Sequence, residues 1–181
     1  MFVEGKISHA EQELLIQKDM LVILYVKENL KINEFNNSIG IVGARRCTAV
    51  GKKTAINTAR MAVDANTAVI SGMAKGIDSY AHTAAIKSCG YTIAALGNGV
   101  DICYPKEHEK LHEEIAERGC VLSEYPPGTP LREYYFPKRN HLIAGLSDKL
   151  YVIDAGRNSG TLSTVDYSKN TAGKLSCAVK Q

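Results

Sequence analysis

The sequence predicts an α/β protein with a doubly wound, mostly parallel sheet, and two observations carry that prediction. From Ser38 onward, short β-branched or aliphatic runs ending in Gly, Ser or Asp alternate with longer segments of helical period. The runs are apolar almost throughout, not at alternate positions, as strands covered on both faces require. In order they are IGIVG (39–43), TAVISG (67–72), TIAALG (92–97), CVLSE (120–124) and KLYVIDA (149–155), with LSCAV (175–179) as a sixth candidate. Between them VGKKTAINTARMAVDAN (50–66), DSYAHTAAIKSCG (78–90) and EKLHEEIAERG (109–119) carry apolar residues at helical spacing. The last two reach Gly90 and Gly119, residues that stop helices readily. The N-terminal part is less regular. ISHAEQELLIQKD (7–19) fits a short helix, MLVILYV (20–26) a strand, and KENLKINEFNNS (27–38) a polar connection. The expected organisation is an N-terminal extension, 1–37, packed on a core domain, 38–181.

Composition narrows the function. A chain of 181 residues suits a single core. Its 45% hydrophobic and 23% charged residues match globular averages, and no run approaches the roughly 20 apolar residues of a membrane helix. No basic region followed by an apolar stretch opens the chain, so a cytoplasmic location is expected. Five cysteines, an odd number without a Cys-x-x-Cys pair, argue against a disulfide framework and a thiolate zinc site. The net charge of +3 is too small to identify an anionic partner, so the placement of basic residues must decide.

In a doubly wound sheet a ligand lies beyond the carboxyl ends of the strands. Those ends read GARRC (43–47), SGMAKGID (71–78), GNGVDICYPK (97–106), SEYPPGTPLREYYFPKRN (123–140) and DAGRNSGT (154–161), and each carries Lys or Arg. The two glycines of SGMAKGID either bring backbone amides close to a phosphate or form a tight turn, with Asp78 placed to cap the next helix. Neither G-x-G-x-x-G nor the P-loop spacing occurs at these turns, which gives nucleoside triphosphates and NAD little support. In the fourth loop Tyr134, Tyr135 and Phe136 lie among Arg132, Lys138, Arg139 and Asn140. Rings that stack on unpaired bases beside cations that hold phosphates bind single strands; the bland alternative is rings that cap the core beneath a solvated rim.

Residues 108–112, HEKLH, spell the zinc-peptidase pattern His-Glu-x-x-His. Zinc chemistry would need a third ligand, and His108 and His112 are expected to flank a buried Leu111 and Ile115 stripe near solvent, which leaves Lys106 as the functional residue of that stretch. Asp78 and His82, four apart, fit an acid and base pair less well than capping and packing, and no G-x-S-x-G elbow occurs. No metal, cofactor or catalytic residue is expected.

SGMAKGID, GNGVDICYP, SEYPPGTP, FPKRN-x-x-IAGLS and DAGRNSGT, in that order, make the chain resemble the DNA-processing protein A (DprA or Smf) family over roughly Leu21 to Thr164. The resemblance implies an extended Rossmann-like domain that binds single-stranded DNA, protects it and helps load the RecA recombinase in natural transformation, with no reaction of its own. It implies phosphate contacts for Arg45, Lys106 and Arg132, stacking on Phe136, amides at the pocket floor from Ser71 and Gly72, and membership of the same motif for Lys138, Arg139 and Asn140, with Asn140 a candidate loop brace. Members commonly carry a sterile-alpha-motif-like region before this unit and often a winged helix after it. The residues before Ser38 and the end at Gln181 fit neither, and VDYSKNTAGKLSCAVKQ (165–181) departs from the family pattern. A truncated or specialised relative is therefore expected, with a homodimer and RecA as partners in question. The alternative is a nucleotide-binding or nucleotide-hydrolysing protein of the LOG-like Rossmann families. Their P-G-G-x-G-T loop and following glutamate are replaced here by NSGTLSTVDY (158–167).

Overall fold

Runs such as TAVIS and TIAAL have no polar face to show solvent, so they pair side by side and take helices on both sides. The structure, a computed structural model, describes residues 6–7, 10–17, 20–27, 30–31, 34–35, 37–154 and 174–178. Its parallel strands are β4 (Asn37–Gly43), β5 (Thr67–Ser71), β6 (Thr92–Leu96), β7 (Cys120–Ser123), β8 (Lys149–Ile153) and β9 (Lys174–Ala178). The helices are α1 (Ala49–Asp64), α2 (Ile77–Lys87), α3 (Glu109–Arg118) and α4 (Tyr135–Gly145). The parallel part runs β7-β6-β5-β4-β8-β9, so the winding reverses between β4 and β8. This is the expected doubly wound α/β sheet, and all six strand candidates form within two residues of their expected limits.

The helix expected over 7–19 does not form. That segment contributes β1 (Lys6–Ile7) and β2 (Ala10–Gln17), and β2 pairs antiparallel with β3 (Met20–Lys27) from Glu11↔Val26 to Gln17↔Met20. A register closing on Gln17 and Met20 is a hairpin, whose ladder satisfies the backbone that a lone short helix would leave marginal. Strand β3 then pairs antiparallel with β7, placing Leu24 and Val26 in the core with Ile93 and Leu122.

One face of the sheet packs Val42, Ile70, Ile93 and Val152 against Leu142 and Ile143 of α4. The other packs Ile39, Ile41 and Val69 under α1 and α2, and Ala94, Leu96 and Val121 under Ile115 of α3. Among the described residues, no helix is long and apolar enough to cross a membrane. Cys47, Cys89, Cys103 and Cys120 are unbridged thiols.

Helix α4 revises the reading of 123–140 as a continuous loop, because the last turns of that segment are helical from Tyr135. Pro137 is tolerated in the first turn, where backbone N–H groups lack intrahelical acceptors. Arg139 lies three and four residues before Leu142 and Ile143, on the helix's buried face. His112 likewise precedes Ile115 and Ala116. It is 4% exposed, not near solvent as expected, and burial lowers its pKa.

Candidate nucleic-acid interface

The strand ends supply the walls of one cleft. Arg45 comes from the turn after β4, Ala74 and Lys75 from the turn after β5, Tyr104 and Pro105 from the loop after β6, and Phe136 from the first turn of α4. Together they line a cleft of about 50 Å³. The Arg45 guanidinium carbon stands 4.9 Å from the Phe136 ring centre, and the Tyr104 ring lies 5.8 Å away, tilted by 52°. The guanidinium lies over one face of the ring, so a base could stack on the guanidinium plane or on the ring's other face. Arg45, Lys75 and Tyr104 are exposed, while Phe136 is half-buried.

The loop that presents Tyr104 is braced along its length. Asn98 donates to the carbonyls of Gly99 and Ile102, and Gly99 N–H donates to Thr129 O at 2.9 Å. The Asp101 carboxylate accepts from Gly128 N–H at 2.8 Å. The bond between Tyr104 and Pro105 is cis, and Lys106, exposed, follows at the start of a single 3-10 turn. Across the cleft mouth Lys75 Nζ meets Glu107 Oε1 at 2.7 Å.

A second basic and aromatic group sits at the start of α4. Tyr134 is 51% exposed, with Arg132 donating to its hydroxyl at 3.1 Å and Lys138 Nζ 5.5 Å from its ring centre. Tyr135 meets Tyr134 edge-on at 4.6 Å and stacks on Tyr125 at 4.0 Å, which fixes the ledge.

Beneath the cleft lie four further residues expected at the DNA site, and the fold gives their side chains internal partners or close packing. Arg139 is 4% exposed, and its Nη1 donates to Gly72 O and Ala95 O, both at 2.5 Å, while its Nε donates to Asn140 Oδ1 at 3.2 Å. A guanidinium spent on two carbonyls at the ends of β5 and β6 is a brace, and Asn140 is buried beside it. Ser71 is fully buried and donates to Ile41 O, which ties β5 to β4. Gly72 leaves room for Arg139, since a Cβ there would lie 2.6 Å from its Nη2. Gly76 has φ +81, and a Cβ there would lie 2.6 Å from Arg45 O. Both glycines of SGMAKGID therefore allow close packing. Ser71, Gly72, Arg139 and Asn140 form the floor, whereas Arg45, Lys106, Arg132, Phe136 and Lys138 reach the surface or its edge.

Two further polar groups complete that floor. Asp78 forms no side-chain cap; it is 5% exposed, and burial raises its pKa to about 6 against the pull of Arg139, the Ala74 and Gly43 amides and Arg45. His82 Nδ1 meets Thr92 Oγ1 at 2.7 Å, and that hydroxyl donates to Val69 O, so Nδ1 carries the ring proton. Among the described residues its Nε2 meets no hydrogen-bond partner, and burial, with Arg139 and His108 nearby, lowers its pKa to about 3. In the HEKLH stretch the rings serve separate contacts, His108 Nδ1 on Met73 O at 3.2 Å and His112 on the Val100 backbone. Among the described residues, no three of His, Cys, Asp and Glu gather as a metal-binding group.

Sequence reasoning did not single out Lys75 and Tyr104, although both lie in the quoted strand-end loops. Position at a carboxyl end was the signal, and residue type within a named motif displaced it.

Fold and cleft together define a Rossmann-type protein with a basic, aromatic cleft at the carboxyl ends of its parallel strands. The chain belongs to the DNA recombination-mediator protein A family, whose model matches residues 7–180. It is 38% identical over 148 residues to DNA processing protein DprA of Streptococcus pneumoniae, covering 82% of this chain and 52% of that protein. With protein Smf of Synechocystis it shares 41% identity over 130 residues, 72% of this chain and 33% of the relative. The chain thus spans about half or less of the length of these curated relatives. Among solved structures, S. pneumoniae DprA superposes with a TM-score of 0.82 at 34% identity, over 88% of this chain and 56% of the other. DNA processing protein A of Helicobacter pylori, solved for its single-stranded DNA binding mode, superposes with 0.84 at 27% identity, over 96% and 83%. A molybdenum cofactor binding protein of Rippkaea orientalis, at 19% identity and 0.56 over 78% and 75%, shares the fold alone.

Proposed function

We propose that this chain binds single-stranded DNA across the cleft, acting as a binder and not as a catalyst. Arg45, Lys106 and Arg132 hold phosphates, Lys138 adds charge along the ledge, and Phe136 takes a base. The observation that carries this reading is the Arg45 and Phe136 pair in one open cleft, 4.9 Å apart, with Tyr104 beside it. A duplex keeps its base faces stacked, so only an unpaired strand can offer a face to Phe136. The family and the H. pylori relative's single-stranded DNA binding support the choice of ligand.

In this reading residues 1–37 extend a binding core of 38–181. The protein works in the cytoplasm, protecting DNA that enters during natural transformation and passing it to RecA, and it pairs with a second copy to do so. Fluorescence anisotropy of a labelled thymidine oligomer, single-stranded against duplex, tests the core of the proposal. Binding should prefer the single strand and weaken steeply with salt, because each neutralised phosphate releases counterions. Arg45→Ala should lower affinity about tenfold and flatten the salt slope by about 0.7 without changing the melting temperature. A folded wild type that ignores the oligomer at low salt would defeat it.

A further inference from the structure

The winding of the sheet reverses between β4 and β8, and in open α/β sheets that reversal makes the crevice where nucleotides bind. Their phosphate rests on the N-terminus of the helix after the first strand, here α1, where free amides and the helix dipole favour an anion. In this chain the position already holds one. Asp154, the residue after β8, places Oδ2 2.7 Å from Thr48 N–H and 2.8 Å from Thr48 Oγ1. Thr48 caps α1 by accepting from Gly51 N–H at 3.0 Å. The carboxyl lies directly on the first turn, since a Cβ on Gly51 would come 2.5 Å from Asp154 Cγ. The first turn of α1 has no acidic residue of its own, so this anion comes from about a hundred residues away. Asp154 also adopts φ +54, a left-handed backbone that side chains other than Asn and Asp enter rarely.

We infer that Asp154 is a specificity determinant that closes the Rossmann nucleotide site from within. Its carboxylate takes the place of a mononucleotide phosphate, repels a second anion, and confines anionic ligands to the neighbouring cleft. One turn serves both ends: Thr48 is tied to Asp154, while Arg45, three residues earlier, stands over Phe136. The inference rests on the fold and this contact, and is independent of what the cleft binds.

The test titrates inorganic phosphate and adenosine monophosphate into wild type, Asp154→Asn and Asp154→Gly, following the amides of Thr48 and Gly51 by NMR. Wild type should not respond. Asn still fills the space and still accepts from Thr48, so Asp154→Asn should gain little. Asp154→Gly suits the left-handed backbone and vacates the space, so it should bind phosphate at least about tenfold more tightly than wild type. Adding Gly51→Ala to that variant should abolish the gain, because the new methyl occupies the vacated position. A folded Asp154→Gly without gain would overturn the inference, as would wild-type Thr48 and Gly51 amides that move with adenosine monophosphate. Should Asp154→Gly not fold, the wild-type titration decides alone. Oligothymidine binding, read in the same samples, should be equal in wild type and Asp154→Gly; its absence from both would sink the single-strand reading and leave this one standing.

Discussion

The floor of the cleft, with Asp78, His82 and Arg139, is almost wholly buried, whereas the rim of Arg45, Lys75, Tyr104 and Lys106 faces solvent. Each region carries charge, but under different constraints. A buried charge loses hydration and must recover it from fixed partners, as Arg139 does from two carbonyls and Asp78 from two amides. A rim charge keeps its water and remains available to a ligand, as Arg45 and Lys106 do. Residues of one motif thus divide their duties. Within FPKRN, Phe136 faces the cleft and Lys138 the surface, while Arg139 holds the ends of β5 and β6 together.

Breaking the floor should have the largest effect. Arg139→Ala leaves Gly72 O and Ala95 O without their donor and removes the cation that offsets Asp78, at a cost of about 3–5 kcal/mol. Urea unfolding should show that loss, against almost none for Arg45→Ala. Arg139→Lys should recover only part, because a single ammonium cannot reproduce the guanidinium fork. An Arg139→Ala protein of wild-type stability that fails to bind oligothymidine would move Arg139 from floor to rim.

The floor also stores two opposed pH dependences. Asp78 titrates at about 6 when folded and near 3.8 ordinarily, so the folded chain holds the extra proton between those values, and this contribution to stability falls as pH rises from about 4 to 6. His82 titrates at about 3 when folded and near 6.5 ordinarily, so the unfolded chain holds more protons, and its contribution falls as pH drops from 6.5 toward 3. Over their shared range the slopes, each at most about 1.4 kcal/mol per pH unit, oppose one another. Asp78→Asn should therefore steepen the loss of stability on acidification, and His82→Gln should make the protein gain relative to wild type over the same range. Stability curves measured across that window and parallel to wild type in both variants would show that neither group titrates as its burial demands.

The sheet was legible because its strands are buried on both faces and their composition says so directly. The hairpin of β2 and β3 was not, because AEQELLIQ has neither clear alternation nor a decisive helical stripe, and its partner strand settles the matter. In the site, residue type was readable and depth was not. Arg139 occupies the first position of an i, i+3, i+4, i+7 series with Leu142, Ile143 and Leu146, and His112 does the same with Ile115 and Ala116, so helical register marked both as inward. Arginine in a DNA-like motif drew attention to chemistry instead, and taking Leu111 and Ile115 as the buried stripe put His112 at its solvent edge. Lys75 and Tyr104 were missed for the converse reason: neither heads a named motif, and only the approach of three strand ends brings them beside Phe136.

The rim offers the smallest but most informative change. Lys75 and Glu107 form an ion pair whose side chains are 54% and 58% exposed, a type worth about 0.2–1 kcal/mol. Glu107→Gln should hardly alter stability. It would, however, remove a carboxylate from the mouth of the cleft and release Lys75 toward whatever anion passes there. If a DNA phosphate takes the place of Glu107 beside Lys75, the variant should bind oligothymidine about threefold more tightly. Since Lys75 would no longer have to leave a carboxylate on binding, the salt slope should also steepen, by up to about 0.7 for one added phosphate contact on a single strand. Affinity measured at two salt concentrations separates the possibilities. A tighter complex with a steeper slope places the strand across Lys75, next to Arg45 and Phe136. Unchanged affinity and slope would mean that the strand bypasses this side of the rim, and the path would then have to run from Phe136 along the Tyr134 ledge, where Arg132 and Lys138 supply the charge.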